Sequence, residues 1–235
     1  MRRIVLILVL MSIPLCAQYK SKDWNLAFNT VYTTTAKIYL NPNSADAILR
    51  NNYFSLQGIV SLQVEIMYKL EENILLGLSI EYMRSTSSGF NLTAFSGNNT
   101  VSILLQDGFQ LIPIEFSGYY ILPFSNERFK FLMGGGIGYY IGEHIRRFGD
   151  VQVTNVSRPI AYGIHVILIM EYLFYDNFSV RGEMKFRDPE FNVTSKYDKT
   201  NVNYNGSVIQ LGRQTFDSKI NVDGISFIIG VTFHF

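Results

Sequence analysis

The last twelve residues, Gly224-Ile-Ser-Phe-Ile-Ile-Gly-Val-Thr-Phe-His-Phe235, decide the fold. Ile225, Phe227, Ile229, Val231, Phe233 and Phe235 alternate with Gly224, Ser226, Ile228, Gly230, Thr232 and His234. Period two puts the first set on one face of a strand and the smaller or more polar set on the other. A helix would scatter the same apolar residues around its circumference.

Working back along the chain, the pattern recurs seven times. Phe178, Val180, Met184 and Phe186 oppose Arg181, Glu183, Lys185 and Arg187, while Tyr162 to Tyr172 oppose Gly163, His165 and Glu171. Phe129, Phe131, Met133, Ile137 and Tyr139 oppose Lys130, Gly134, Gly136, Gly138 and Tyr140. Ile112, Ile114 and Phe116 oppose Pro113, Glu115 and Ser117; Leu76 to Tyr82 oppose Gly77, Ser79 and Glu81; Val60 to Tyr68 oppose Ser61, Gln63 and Glu65. Trp24, Leu26 and Phe28, set against Asn25, Ala27 and Asn29, complete eight strands.

Short turns at 70–73, 123–127 and 175–177 alternate with long polar stretches at about 34–53, 85–107, 143–158 and 189–222. Soluble domains seldom hold so many loops beyond about 12–15 residues. Membrane barrels pair short turns on one side with long loops on the other. The expected fold is all-β, an eight-stranded antiparallel up-and-down transmembrane β-barrel.

Composition agrees with that expectation. Only 17% of the residues are charged, and 18 Phe and 15 Tyr stand against one Trp. Globular domains carry about 25% charge. Twenty basic and 19 acidic residues leave no electrostatic footprint for nucleic acid. Mean hydropathy is only +0.13 because the apolar residues come every second position. Periodicity alone does not say which face meets solvent, and a soluble carrier barrel would show the same period. The choice rests on the sparse charge and on two sets of aromatics at the strand ends. Trp24, Tyr68, Phe129, Tyr172, Phe178, Phe233 and Phe235 lie on the turn side, and Tyr82, Phe109, Tyr139, Tyr162 and Phe186 on the loop side, as girdles do at bilayer boundaries. A closed ring is required because an unpaired backbone group in lipid costs several kcal/mol. Pro113 removes one ladder donor, near what reads as the loop end of its strand. The glycines at 134–136 and 138 leave room for inward Tyr119 and Tyr140.

Residues 1–17 read as a secretory signal: Arg2 and Arg3, an apolar stretch from Ile4 to Met11, then a break before Ala17. The barrel domain is then 18–235. Cleavage after Ala17 removes the single Cys, Cys16, and turns a net charge of +1 into −1, with 18 basic against 19 acidic residues. Lipid attachment at Cys16 is the alternative, although Leu15 is large for the preceding position.

The terminal Gly-Val-Thr-Phe-His-Phe, the strand Leu111-Ile-Pro-Ile-Glu-Phe116 and the segment Phe131-Leu-Met-Gly-Gly-Gly-Ile-Gly-Tyr139 resemble the outer membrane protein beta-barrel domain family of small OmpA-, OmpX- and OmpW-like barrels. The resemblance implies a monomer in the cell outer membrane, contacting outer-membrane lipid. It also implies that Phe233 and Phe235 form the signal read by the barrel-assembly machinery. No periplasmic domain is expected after Phe235.

Eight strands enclose an interior that side chains just fill. The inward charges Glu65, Glu81, Glu115, Lys130, Glu171, Arg181, Glu183, Lys185 and Arg187 are therefore expected to form an ion-pair network, with the cations of strand seven facing Glu171 and Glu183. No catalytic, cofactor or metal site is expected. His144, His165 and His234 are scattered, with no activated Ser marked beside them. The expected role is structural or interactive, through four long loops. The alternatives are an OmpW-like passage for small apolar molecules, for which Tyr119, Tyr140 and Ile228 would line the lumen, or a lipid-modifying enzyme.

Overall fold

The period-two segments fold into strands that run well past the ends the sequence suggests. The structure is a computed structural model that describes residues 22–96, 99–157, 160–211 and 215–235; the export segment 1–17, with Cys16, lies outside them. In chain order the elements are β1 (Trp24–Tyr39), α1 (Ala47–Asn51), β2 (Tyr53–Glu71), β3 (Ile74–Ser96), β4 (Asn99–Ile121), β5 (Phe129–Phe148) and β6 (Val151–Ser157). They continue with β7 (Ala161–Tyr175), β8 (Phe178–Arg187), β9 (Glu190–Tyr197), β10 (Asn201–Tyr204), β11 (Ser207–Gln210), β12 (Thr215–Asn221) and β13 (Ile225–His234).

One antiparallel ring of eight closes in the order β1-β2-β3-β4-β5-β7-β8-β13 and back to β1. Closure is made by β13 on β1, from Asn25 opposite His234 to Thr33 opposite Ser226. Outward positions form a belt of exposed apolar side chains, among them Phe28, Leu62, Ile80, Phe116, Ile137, Val166, Phe227 and Ile229, while Asn29, Gln63, Glu81, Glu115 and Arg181 are buried inside. That is a soluble protein turned inside out, the arrangement lipid imposes.

At the short-turn rim the aromatics meet in pairs: Trp24 with Tyr68 at 4.8 Å, Phe129 with Tyr172 at 4.6 Å, and Phe178 with Phe233 at 5.0 Å between ring centroids. Tyr139 and Tyr162 pair at the opposite rim, 5.1 Å apart. Phe109 does not join that girdle. It is fully buried, because its odd position on β4 shares the inward face with Leu111 and Glu115.

The long polar stretches are not mainly loops. Above the belt β1 to β5 continue, and β6, β9 and β12 replace β7, β8 and β13, so that a second tier stands on the first. Its interior is apolar: Ala36, Ile38, Leu56, Met83, Phe109, Leu111, Phe191, Val193 and Ile220 form one cluster, and Ile103, Leu105, Phe148, Val151, Tyr197, Val202 and Ile209 another. Water surrounds this tier, so the apolar face turns inward again and supplies the burial that keeps the strands paired. A β10–β11 hairpin packs into the second cluster, turning on Asn205 and Gly206 with φ of 49° and 80°, the positive pair that a tight hairpin demands. Because β4 starts at Asn99, Pro113 sits in mid-strand and not near its end. The β3–β4 ladder is interrupted there, passing from Ile80 opposite Ile114 to Met83 opposite Leu111, which accommodates the missing donor.

Candidate functional site

Three alternating cations on β8 place their long side chains in the narrow lumen, where they reach across to the opposite wall. Arg187 Nη1 lies 2.7 Å from Glu81 Oε2 and 3.3 Å from Glu115 Oε1. Lys185 Nζ lies 2.6 Å from Glu115 Oε2. Arg181 Nη2 lies 2.9 Å from Glu65 and 2.6 Å from Glu183. The pairing expected between this strand and Glu171 is absent: Glu171 Oε1 instead faces His234 Nε2 at 3.2 Å. Neighbouring wall positions point inward side by side, whereas a guanidinium extends far enough to meet β2, β3 and β4. Lys130 stands apart. It is half-buried at the short-turn mouth, opposite Glu171 in register, and makes no salt bridge among the described residues.

Tyrosines knit the network to the wall. Tyr119 Oη donates to Glu65 at 2.5 Å, Tyr140 Oη donates to Glu115 at 3.0 Å, and Ser61 Oγ donates to Glu81 at 2.5 Å. Tyr119, Tyr140 and Ile228 do point inward, but the two tyrosines end in carboxylates and do not make an apolar lining. The glycine run makes room for them: a Cβ on Gly134 would stand 2.4 Å from the Tyr119 ring, and one on Gly138 2.5 Å from the Tyr140 hydroxyl. His165 Nε2 shares a hydrogen with Ser117 Oγ at 2.8 Å. Below, Met67, Leu75, Tyr119, Leu132, Ile167 and Ile169 pack into an apolar floor. Beneath it a cavity of about 490 Å³, lined in part by Lys22, Lys69, Glu72, Lys130 and His234, opens at the short-turn mouth. The membrane-level lumen is thus filled by side chains.

Above the belt a second polar layer separates the two apolar clusters, and the sequence gave no warning of it. His144 Nε2 meets Asp107 Oδ1 at 2.5 Å, and His144 Nδ1 meets Ser218 Oγ at 3.2 Å. Arg146 donates to Asp107 through Nε at 2.9 Å, and to Tyr197 Oη at 3.3 Å. Burial pushes the His144 ring below its ordinary pKa despite the pull of Asp107, so the ring is neutral. Asp107 then accepts from Nε2–H and leaves Nδ1 to accept from Ser218. A Ser, a His and an Asp are in sequence here, but Ser218 has 0% exposure and its hydroxyl also lies 3.4 Å from the Val193 carbonyl. The layer is a satisfied polar knot in the core of the upper tier. Among the described residues no group of three or more His, Cys, Asp or Glu is placed to hold a metal.

Beside His144 the wall is not laddered. On this side β5 pairs with β7 up to Tyr140 opposite Ala161, and with β6 from Arg147 opposite Gln152. Between those pairs β5 advances seven residues and the other strand nine, so Ile141 to Arg146 have no ladder partner there. One side chain spans the gap: Asn155 Oδ1 accepts from the His144 backbone N–H, and Asn155 Nδ2 donates to the His144 carbonyl, each at 3.2 Å. Phe191 closes it from within, its ring so near Gly142 that a Cβ there would stand 2.2 Å away.

No family model matches this chain, and no curated protein does. Solved structures do. The outer membrane protein OprG of Pseudomonas aeruginosa is 14% identical over 92% of this chain and 97% of its own, with a TM-score of 0.59. The chain has the fold of a small outer-membrane β-barrel. Neisserial surface protein A matches at 9% identity, 90% of this chain, 97% of its own and a TM-score of 0.47. Ail of Yersinia pestis matches at 7% identity, 92% and 100% coverage and a TM-score of 0.48. Against that background, the residues this outer-membrane barrel arranges without advance notice are Asp107, His144, Arg146, Asn155, Phe191 and Ser218. Parity along strands that continue past the belt is the signal that could have found them.

Proposed function

We propose that this barrel takes up small apolar molecules outside the cell and releases them sideways into the outer membrane. It does not pass solutes straight through. The observation that carries this reading is the sequence of environments along the axis. An apolar chamber lies above the belt, a buried ionic plug blocks the way down, and the one unladdered stretch of wall opens beside the chamber at the upper edge of the belt. Ile141, Val156, Ile160 and Tyr162 are all exposed around that stretch, giving it an apolar outer lip.

Two measurements test it together. Purified protein in a planar lipid bilayer is expected to show no steady single-channel steps, because the plug leaves no aqueous path. Cells carrying the protein are expected to take up an apolar fluorophore faster than cells without it. Sustained ionic steps, or uptake equal in both cells, would sink the proposal.

A second reading is supported by the tall upper tier: its hairpins, above all β3–β4, present a rigid surface to a partner outside the cell. In both readings the barrel works as a monomer, and Phe233 and Phe235, stacked 5.7 Å apart at the short-turn rim, contact the assembly machinery.

A further inference from the structure

Lateral release requires a place where the wall can part at low cost, and the gap beside His144 is held unlike any ladder. We propose that Asn155 is the clasp of a side door between β5 and β6, with the Phe191 ring as its inner stop. The proposal rests on the passage reading above and names the residues that would control it.

The clasp imitates a ladder. A primary amide offers one acceptor and donors in one plane, so Asn155 satisfies both backbone groups of His144, as an opposing residue would. Ser195 Oγ donates to Asn155 Oδ1 at 3.1 Å, tying the clasp to β9 behind it. A ladder zips residue by residue, each pair held by its neighbours. A single side chain can instead rotate away about two torsions, and both strands keep their remaining pairings. Asn155 is only half-buried, so water can take over its hydrogen bonds when it swings.

Phe191 and Gly142 provide the second barrier. With no Cβ on Gly142, the ring lies flat against the exposed edge of β5. Phe191 belongs to the apolar cluster that also holds Phe109, Leu111 and Tyr140. Its rotation would join that chamber to the gap and to Ile141, Val156 and Ile160 on the outside. What such a door admits is set by its walls: compact, uncharged, hydrocarbon-like molecules.

The test compares wild type, Asn155→Ala, Asn155→Asp and Phe191→Ala, each first shown to be folded by its heat-modifiable migration on a gel. Hydrogen exchange of the His144 backbone amide reports the clasp. Uptake of N-phenyl-1-naphthylamine by cells expressing each form reports the door. Asn155→Ala is expected to speed exchange on the order of tenfold, the effect of losing a backbone hydrogen bond. It should also raise uptake above wild type. Asn155→Asp keeps the acceptor and loses the donor, so it should fall between the two. Phe191→Ala should raise uptake while leaving His144 exchange near wild type. Unchanged exchange in Asn155→Ala overturns the clasp. Faster exchange with uptake no greater than in cells lacking the protein overturns the passage reading, and the door with it.

Discussion

Arg187 on β8 and Glu81 on β3 meet fork to fork across the lumen, Nη1 to Oε2 at 2.7 Å and Nη2 to Oε1 at 3.0 Å. Both side chains are almost wholly buried, and Glu115 shares the guanidinium. Two parallel charge-assisted bonds fix the geometry of the pair as well as its attraction. The plug is therefore an ordered object that spans the barrel from one wall to the other.

Breaking that pair on one side strands the other charge in a site without water. Arg187→Met is expected to cost about 3–5 kcal/mol, the usual penalty for an uncompensated buried charge. It should lower the temperature at which the heat-modifiable band converts on a detergent gel. Glu81→Met combined with Arg187→Met should cost less than the two single changes added together, since neither charge is then left alone. Strict additivity would show that the fork contributes no coupling.

The glycines opposite Tyr119 and Tyr140 make a second claim about the plug. A methyl on Gly134 would meet the Tyr119 ring, whose hydroxyl is committed to Glu65. Gly134→Ala is expected to destabilise the barrel by roughly 1–3 kcal/mol, the range for overpacking. Gly118→Ala, on the same barrel with nothing within 4 Å of its Cβ, should be near neutral. Equal effects at both positions would show that the room at Gly134 is not needed for Tyr119.

Much of this was legible in the sequence, and the reason is geometric. In the membrane zone the outward residues are uniformly apolar and the inward ones polar, so parity on Val60 to Tyr68 or Ile225 to Phe235 reads cleanly. Above it both faces mix: Ile38 and Ile220 point in beside Lys37 and Lys219 pointing out, and Ser, Thr and Asn dilute the period. The stretches therefore look like loops. Which inward charges touch was not legible either, because contact across a lumen depends on the stagger of all eight strands. Glu171 lies opposite Arg181 in register yet pairs with His234. Asn155 carried no signal, since a clasp exists only where a ladder fails.

Phe109 offers a direct check on the inversion between tiers. If the outer tier has its own apolar interior, Phe109→Ala leaves a cavity there and should cost about 3–5 kcal/mol, as large-to-small changes in packed cores do. Tyr139→Ala, on the outward face at the upper girdle, should cost much less. Proteolysis of the outer segments would distinguish the two, with only the Phe109 variant cut readily. Equal protection in both would return Phe109 to the girdle.

His144 ties the outer tier to pH. Its ring is buried and neutral, held below the ordinary histidine pKa by desolvation, with Arg146 also opposing a proton and Asp107 favouring one. An unfolded chain takes up that proton near the ordinary value of 6.5 while the folded chain refuses it. A group whose pKa is depressed on folding gives stability that is complete above its unfolded value and is lost as pH falls below it. The groups facing the ring are Asp107, Arg146, Ser218 and the edge of Phe216, none of which titrates as an ordinary histidine does. The wild-type transition temperature should therefore drop between pH 7 and pH 5. His144→Gln, which cannot take a proton, should drop less over the same interval, although it starts lower for want of the Asp107 contact. His165 and His234 are present in both proteins, so the difference in slope belongs to His144. Parallel slopes would show that the knot is indifferent to protons.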